Sequence, residues 1–131
     1  MAAGTYTGTG TYGENNPNSL TFGFEPMLVI VTSYSSNTSI DDSNVSVLIP
    51  NYGMTVSYGY ASHVSQYPYI GMGRNVVSVV DNTMSWYASG PVRCYQWGNS
   101  AMFKYDSDEG YTYQMNDNGT TYNYFAIGIK R

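Results

Sequence analysis

Apolar and polar side chains alternate with a period of two along much of this 131-residue chain, and no stripe of period 3.6 interrupts them. Successive side chains of a strand point to opposite faces, so a chain of this pattern folds as β-structure with one face of each strand inward. Leu20, Phe22 and Phe24 alternate with Ser19, Thr21 and Gly23; Met54, Val56, Tyr58 and Tyr60 alternate with Thr55, Ser57 and Gly59. In both segments the apolar set is expected to face the core. Met27 to Val31 is apolar at every position, the pattern of a central strand covered on both faces.

Further strand-like runs are Gly4 to Thr11, Val45 to Pro50, Asn75 to Val80, Thr83 to Ala88, Ala101 to Tyr105, Tyr111 to Asn116 and Tyr122 to Ile129. Asn15-Asn16-Pro17-Asn18, Asn51-Tyr52-Gly53 and Asp81-Asn82 are turn-forming clusters between them. Short strands at such spacing imply a sandwich or barrel rather than parallel βαβ units. The expected fold is a single all-β domain spanning residues 1–131, an antiparallel β-sandwich of jelly-roll-like or related type. Asn116-Asp117-Asn118-Gly119 is expected to close a final hairpin between Tyr111 to Met115 and Tyr122 to Ile129, because Asn and Gly tolerate positive φ. Ser35 to Asn44, Ala61 to Gly73 and Ser89 to Ser100 read as exposed loops.

Low charge with abundant Asn, Ser, Thr and Gly resembles a disordered composition, but 42% hydrophobic and 16% aromatic content is that of a folded domain. Five Lys and Arg against nine Asp and Glu give a net charge of −4 without a basic cluster, which disfavours nucleic acid. The longest apolar run is far shorter than a membrane span, so no membrane insertion is expected. The opening MAAGTYTG lacks the basic and apolar segments of a signal peptide. Cys94 has no second cysteine to pair with in the chain.

Catalytic chemistry is thinly supplied. Gly8-Thr9-Gly10-Thr11-Tyr12-Gly13 matches the glycine pattern of dinucleotide sites, but Asn15, Asn16 and Pro17 stand where the phosphate-binding helix has to begin. Asp106, Asp108 and Glu109 form part of a calcium-loop pattern without its distal glutamate, and read as an acidic turn. His63 and Cys94 lack a third group to orient them, and no acidic pair at strand ends suggests a glycosidase. No cofactor or metal is expected.

Contact chemistry is rich by comparison, with fifteen tyrosines. Tyr offers a rigid apolar face and a polar tip with only two torsions to freeze, though aromatics also fill half-buried strands. Tyr58 and Tyr60, and Tyr111 and Tyr113 with Met115, read as packing residues. Tyr67 and Tyr69 in one presumed loop, and Tyr95, Trp97 and Asn99 in another, combine flat faces with hydroxyl and amide groups. That combination suits stacking on sugars or a protein surface, and these five are the candidate ligand-binding residues.

Gly4-Thr5-Tyr6-Thr7-Gly8-Thr9-Gly10-Thr11, then Leu20-Thr21-Phe22-Gly23-Phe24-Glu25-Pro26 and Leu28-Val29-Ile30-Val31, resemble the opening of small β-sandwich modules in bacteriophage and prophage tail-fibre proteins. Thr83-Met84-Ser85-Trp86-Tyr87, and Asn116 with Gly119, Tyr122, Tyr124, Ala126, Ile127 and Gly128, resemble their closing part. Met27 stands where such modules often have Lys, and residues from Ser35 to about Gly73 match nothing in them. The resemblance implies a non-enzymatic virion appendage module, often trimeric, that displays variable loops to a host-cell surface glycan or protein and contacts other virion proteins. A purely structural capsid or tail decoration protein is the alternative, and a hydrolase of surface polysaccharide the third.

Overall fold

The computed structural model describes residues 1–36, 40–61, 67–96, 102–106 and 110–130. Among the described residues are nine strands: β1 Ala2–Thr7, β2 Asn18–Thr21, β3 Glu25–Ser36, β4 Ile40–Ile49, β5 Tyr52–Ala61, β6 Tyr67–Val80, β7 Thr83–Gln96, β8 Met102–Asp106 and β9 Thr121–Ile129. One helical turn, α1 Gly110–Tyr113, lies between the last two. All the strands join one antiparallel ladder, in the order β1-β9-β3-β4-β5-β6-β7-β2, with β8 also on β7. β2 covers the first residues of β7, opposite Trp86 to Thr83, and β8 covers its last, from Val92 to Gln96.

The middle of the sheet is a meander of hairpins. Two of its turns carry a residue in the left-handed region, Asn51 (φ 72°) and Asp81 (φ 54°), residue types that tolerate it. Much of the three stretches expected to be loops continues the ladder instead. β3 and β4 pair out to Ser36 and Asp41, β5 and β6 out to Ala61 and Tyr67, and β6 and β7 out to Tyr69 and Gln96. Tyr, Ile and Val suit pleated, paired backbone, and cross-strand pairing overrides the local Gly and Pro signals. One irregularity in the β6–β7 register lies between Met72, opposite Arg93, and Arg74, opposite Ser89, with the extra residues on β7.

The sheet curls until its ends face one another. The rings of Tyr6 on β1 and Trp86 on β7 meet edge to face with centroids 6.3 Å apart. Inside the curl lie Val29, Val31, Leu48, Val77, Met84, Trp86, Met115, Tyr122 and Ala126. Leu20, Phe22 and Phe24 pack against this core, as their alternation predicts, although only Leu20 belongs to a strand. Burying a side chain of this size stabilises by about 1.5–3 kcal/mol, so this one cluster is the main apolar contribution.

Two sequence expectations fail here for a shared reason. Tyr111 to Asn116 is not a strand, and no final hairpin forms. Gly110–Tyr113 is helical, Met115 has φ 61°, and Tyr113, Gln114 and Met115 are fully buried inside the curl. β9 pairs with β1 and β3 instead. The polarity of β5 is also the reverse of that expected: Gly53, Thr55 and Ser57 are buried, while Val56 and Tyr58 are 37% and 52% exposed. Thr55 faces inward because it meets the inserted segment, donating from Oγ1 to the Tyr113 carbonyl at 2.6 Å. An apolar residue there leaves a buried carbonyl short of a donor.

The inserted segment also explains Gly73. A Cβ at this position would stand 2.7–2.8 Å from ring and Cβ atoms of the buried Tyr113, closer than carbon atoms pack. Gly73→Ala is expected to destabilise the fold by about 1–3 kcal/mol through overpacking. Urea unfolding measures this directly, with a lowered midpoint at unchanged slope as the expected result.

Candidate functional site

The antiparallel register brings the paired strand ends around three connections to one end of the sheet. Ile40 stands opposite Ala61, which stands opposite Tyr67; Tyr69 stands opposite Gln96, which stands opposite Met102. Three of the five candidate binding residues lie here on adjacent strands, Tyr67 and Tyr69 at the start of β6 and Tyr95 near the end of β7. Trp97 and Asn99 lie outside the described residues, as does His63. Pairing also separates the three. Tyr95 is opposite Ile70, so its position falls on the other parity of the ladder from Tyr67 and Tyr69. Cys94 is opposite Gly71 and Lys104 in the same region.

The glycine-rich segment Gly8 to Gly13 forms a seam rather than a phosphate cradle. Gly8 N donates to Thr120 O at 2.8 Å and Gly10 N to Asn116 O at 2.7 Å. A Cβ at Gly8 would fall 2.1 Å from the carbonyl oxygen of Asp117, which is why the chain can close there only without a side chain. Asn116 completes the seam: its Oδ1 accepts from Thr9 N at 3.0 Å, and its Nδ2 donates to Thr9 Oγ1 and to Thr11 O. No helix follows; β2 begins at Asn18.

Beside the seam is a cleft of about 270 Å³ lined by residues that include Tyr6, Thr7, Thr9, Asn18, Trp86 and Asn116. Its polar groups already serve the fold. The Tyr6 hydroxyl donates to Met115 O at 2.7 Å, Trp86 Nε1 donates to Gln114 O at 2.9 Å, and Asn18 Nδ2 donates to both carbonyls. Burial beside Tyr122 pushes the Tyr6 hydroxyl above the ordinary phenol range, and burial, partly offset by the hydrogen bond from Asp117 N, raises that of Tyr122 to about 12. Both hydroxyls stay neutral near pH 7 and act as hydrogen-bonding struts.

Gln114 is the densest knot. Its Oε1 accepts from Gly13 N and Ala88 N, both at 2.9 Å, and its Nε2 donates to Asn16 O at 2.7 Å and Asn18 Oδ1 at 3.1 Å. Higher in the curl, Ser46 and Thr55 share a hydroxyl hydrogen bond, and Asn75 Nδ2 donates to Thr55 Oγ1 and Tyr113 O. Among the described residues no group of three or more His, Cys, Asp and Glu gathers as a metal site.

The feature that sequence reading passed over is the outside of the sheet. Val45, Val47 and Ile49 on β4 are 40–44% exposed, and Phe125 and Ile127 on β9 are 39% and 41% exposed. Register joins them into rows: Phe125 opposite Ile30, Ile30 opposite Val47, Val47 opposite Met54. The signal was present in Val45-Ser46-Val47-Leu48-Ile49, which is apolar at both parities but places its one serine on the buried side.

No protein family, curated protein or solved structure matches this chain. Gln114→Met keeps the length of the side chain and removes its hydrogen bonds to Gly13, Ala88, Asn16 and Asn18. The expected loss is about 3 kcal/mol or more, since each buried group left unpaired costs about 1–3 kcal/mol. Thermal and urea unfolding of the variant check it.

Proposed function

We propose that this chain is a non-enzymatic virion appendage module, of bacteriophage tail fibre or similar kind, that attaches to a host-cell surface through its tyrosine-rich end. The observation that carries this reading is the collection of Tyr67, Tyr69 and Tyr95 at one end of the ladder, on neighbouring strands. Strands that hold recognition residues at their ends, with the core gathered elsewhere, suit a display scaffold. The resemblance of both chain ends to tail-fibre modules points the same way. In this reading the curled sheet takes the role of a two-layered sandwich, its β1–β9–β3 side facing its β6–β7–β2 side across the core. The ligand is a glycan or surface protein, held by aromatic stacking with a few polar anchors.

Tyr67→Ser, Tyr69→Ser and Tyr95→Ser, singly and together, test the reading in a whole-cell binding assay and on a glycan array. Anchor tyrosines at a contact surface contribute about 2 kcal/mol or more, so the triple variant should lose binding by at least about thirtyfold while keeping its far-UV circular dichroism. Binding unchanged in the folded triple variant, or no binding of the native protein to any host of a broad panel, contradicts it.

A further inference from the structure

Asn118 is the one asparagine of this chain that precedes a glycine. A backbone nitrogen that follows asparagine can attack the side-chain carboxamide carbon, and glycine hastens this because no Cβ crowds the forming ring and its backbone turns freely. Asn118 and Gly119 are both exposed, and nothing stands within 4 Å of the place a Gly119 Cβ would take. Water and base reach the pair.

Both reacting groups are nevertheless held, and by the same short stretch of chain. The nucleophile, Gly119 N, donates its hydrogen to Gly8 O at 3.0 Å. The electrophile is packed: a Cβ at Gly10 would stand 3.1 Å from Cβ and 3.7 Å from Cγ of Asn118, so this side chain lies against the bare backbone of Gly10. The turn around them is pinned by Thr120 N donating to Asp117 O, Gly8 N to Thr120 O and Gly10 N to Asn116 O. Between the two glycines Thr9 is clamped by the Asn116 side chain, which accepts from its N and donates to its Oγ1.

We propose that Asn118-Gly119 is a self-modification site latched by the segment Gly8 to Gly10, intact while the seam is closed and deamidated when it opens. In the reaction Gly119 N bonds to Asn118 Cγ and gives up its proton, the Cγ–Nδ2 bond breaks, and the amide nitrogen leaves with that proton as ammonia. Water then opens the succinimide at either carbonyl, which yields aspartate or isoaspartate at position 118. Water is the only other reactant. Either product adds one carboxylate beside Asp117 and takes the net charge from −4 to −5. Isoaspartate also lengthens the backbone by a methylene between 118 and 119, which moves Gly119 N off Gly8 O. The step runs one way, because a seam that has opened and reacted this way cannot reclose as before. The site uses none of Tyr67, Tyr69 and Tyr95, so the inference stands apart from the attachment reading.

Ion-exchange chromatography of charge variants, with peptide mapping to place the isoaspartate, tests this on the full chain kept folded in mildly alkaline buffer and on the same chain unfolded in urea. In urea Asn118 is expected to react faster than Asn18 or Asn82, which precede Ser and Thr. It should also react at least about tenfold faster there than in the folded protein, where closed hydrogen bonds admit the reaction only through local opening. Gly8→Ala sets a Cβ against Asp117 O and forces the segment away, so this variant, folded by far-UV circular dichroism, should react at least about threefold faster than the native protein. Should it misfold, Thr9→Ala takes its place, since it removes only an exposed hydroxyl and the bond that hydroxyl accepts from Asn116. Equal rates in the folded and unfolded chains, no preference for Asn118 in urea, or a folded variant as slow as the native protein overturns the proposal.

Discussion

Three backbone carbonyls in the middle of the molecule govern its design. Tyr113, at the end of α1, and Gln114 and Met115 just beyond it carry their peptide groups into the interior, where water cannot serve them. Tyr113 O accepts from Thr55 and Asn75, Gln114 O from Asn18 and Trp86, and Met115 O from Asn18 and Tyr6. A buried carbonyl without a donor costs about 1–3 kcal/mol, and domain stability is only about 5–15 kcal/mol, so leaving all three unserved would consume much of it. The surrounding strands therefore supply polar side chains inward, and their apolar residues at those levels turn outward. The exposed face of the sheet is a consequence of satisfying the segment inside it.

This inversion separates what sequence reading recovered from what it missed. The all-β class, the antiparallel pairing and the turns at Asn51 and Asp81 follow from alternation and turn chemistry, which are local. Leu20, Phe22 and Phe24 pack against the core, with Phe22 stacked on Phe24 and edge to face with Tyr124. Tyr113 and Met115 are core residues as read, but alternation could not reveal that they sit on an inserted turn, because a helical turn followed by one left-handed residue also places every second side chain in apolar surroundings. Met54, Val56 and Tyr58 were assigned inward on hydrophobicity alone, and the competing demand, a carbonyl 58 residues away from Thr55, is invisible in any local window. Register fails for the same reason: a strand with small polar residues on one side and apolar residues on the other is ordinarily sorted by burial, and here hydrogen bonding sorts it.

The candidate site shows the same division. Tyr67, Tyr69 and Tyr95 were legible as an aromatic group, and the ladder gathers them at one end, on paired strands where open loops were expected. That they fall on both parities follows only from the pairing of Ile70 with Tyr95. The molecule thus carries a tyrosine-rich end and an exposed apolar face on one scaffold with little charge.

Native-state amide hydrogen exchange at Ala88 tests the central role of the inserted segment most directly. Ala88 lies on β7 between the stretches covered by β2 and β8, and its N–H is held at that edge by the side chain of Gln114. If the segment is the keystone, this edge amide exchanges only through global unfolding, as slowly as the amides of central β3. Exchange at the rate of an open strand edge, orders of magnitude faster than β3, would contradict the account.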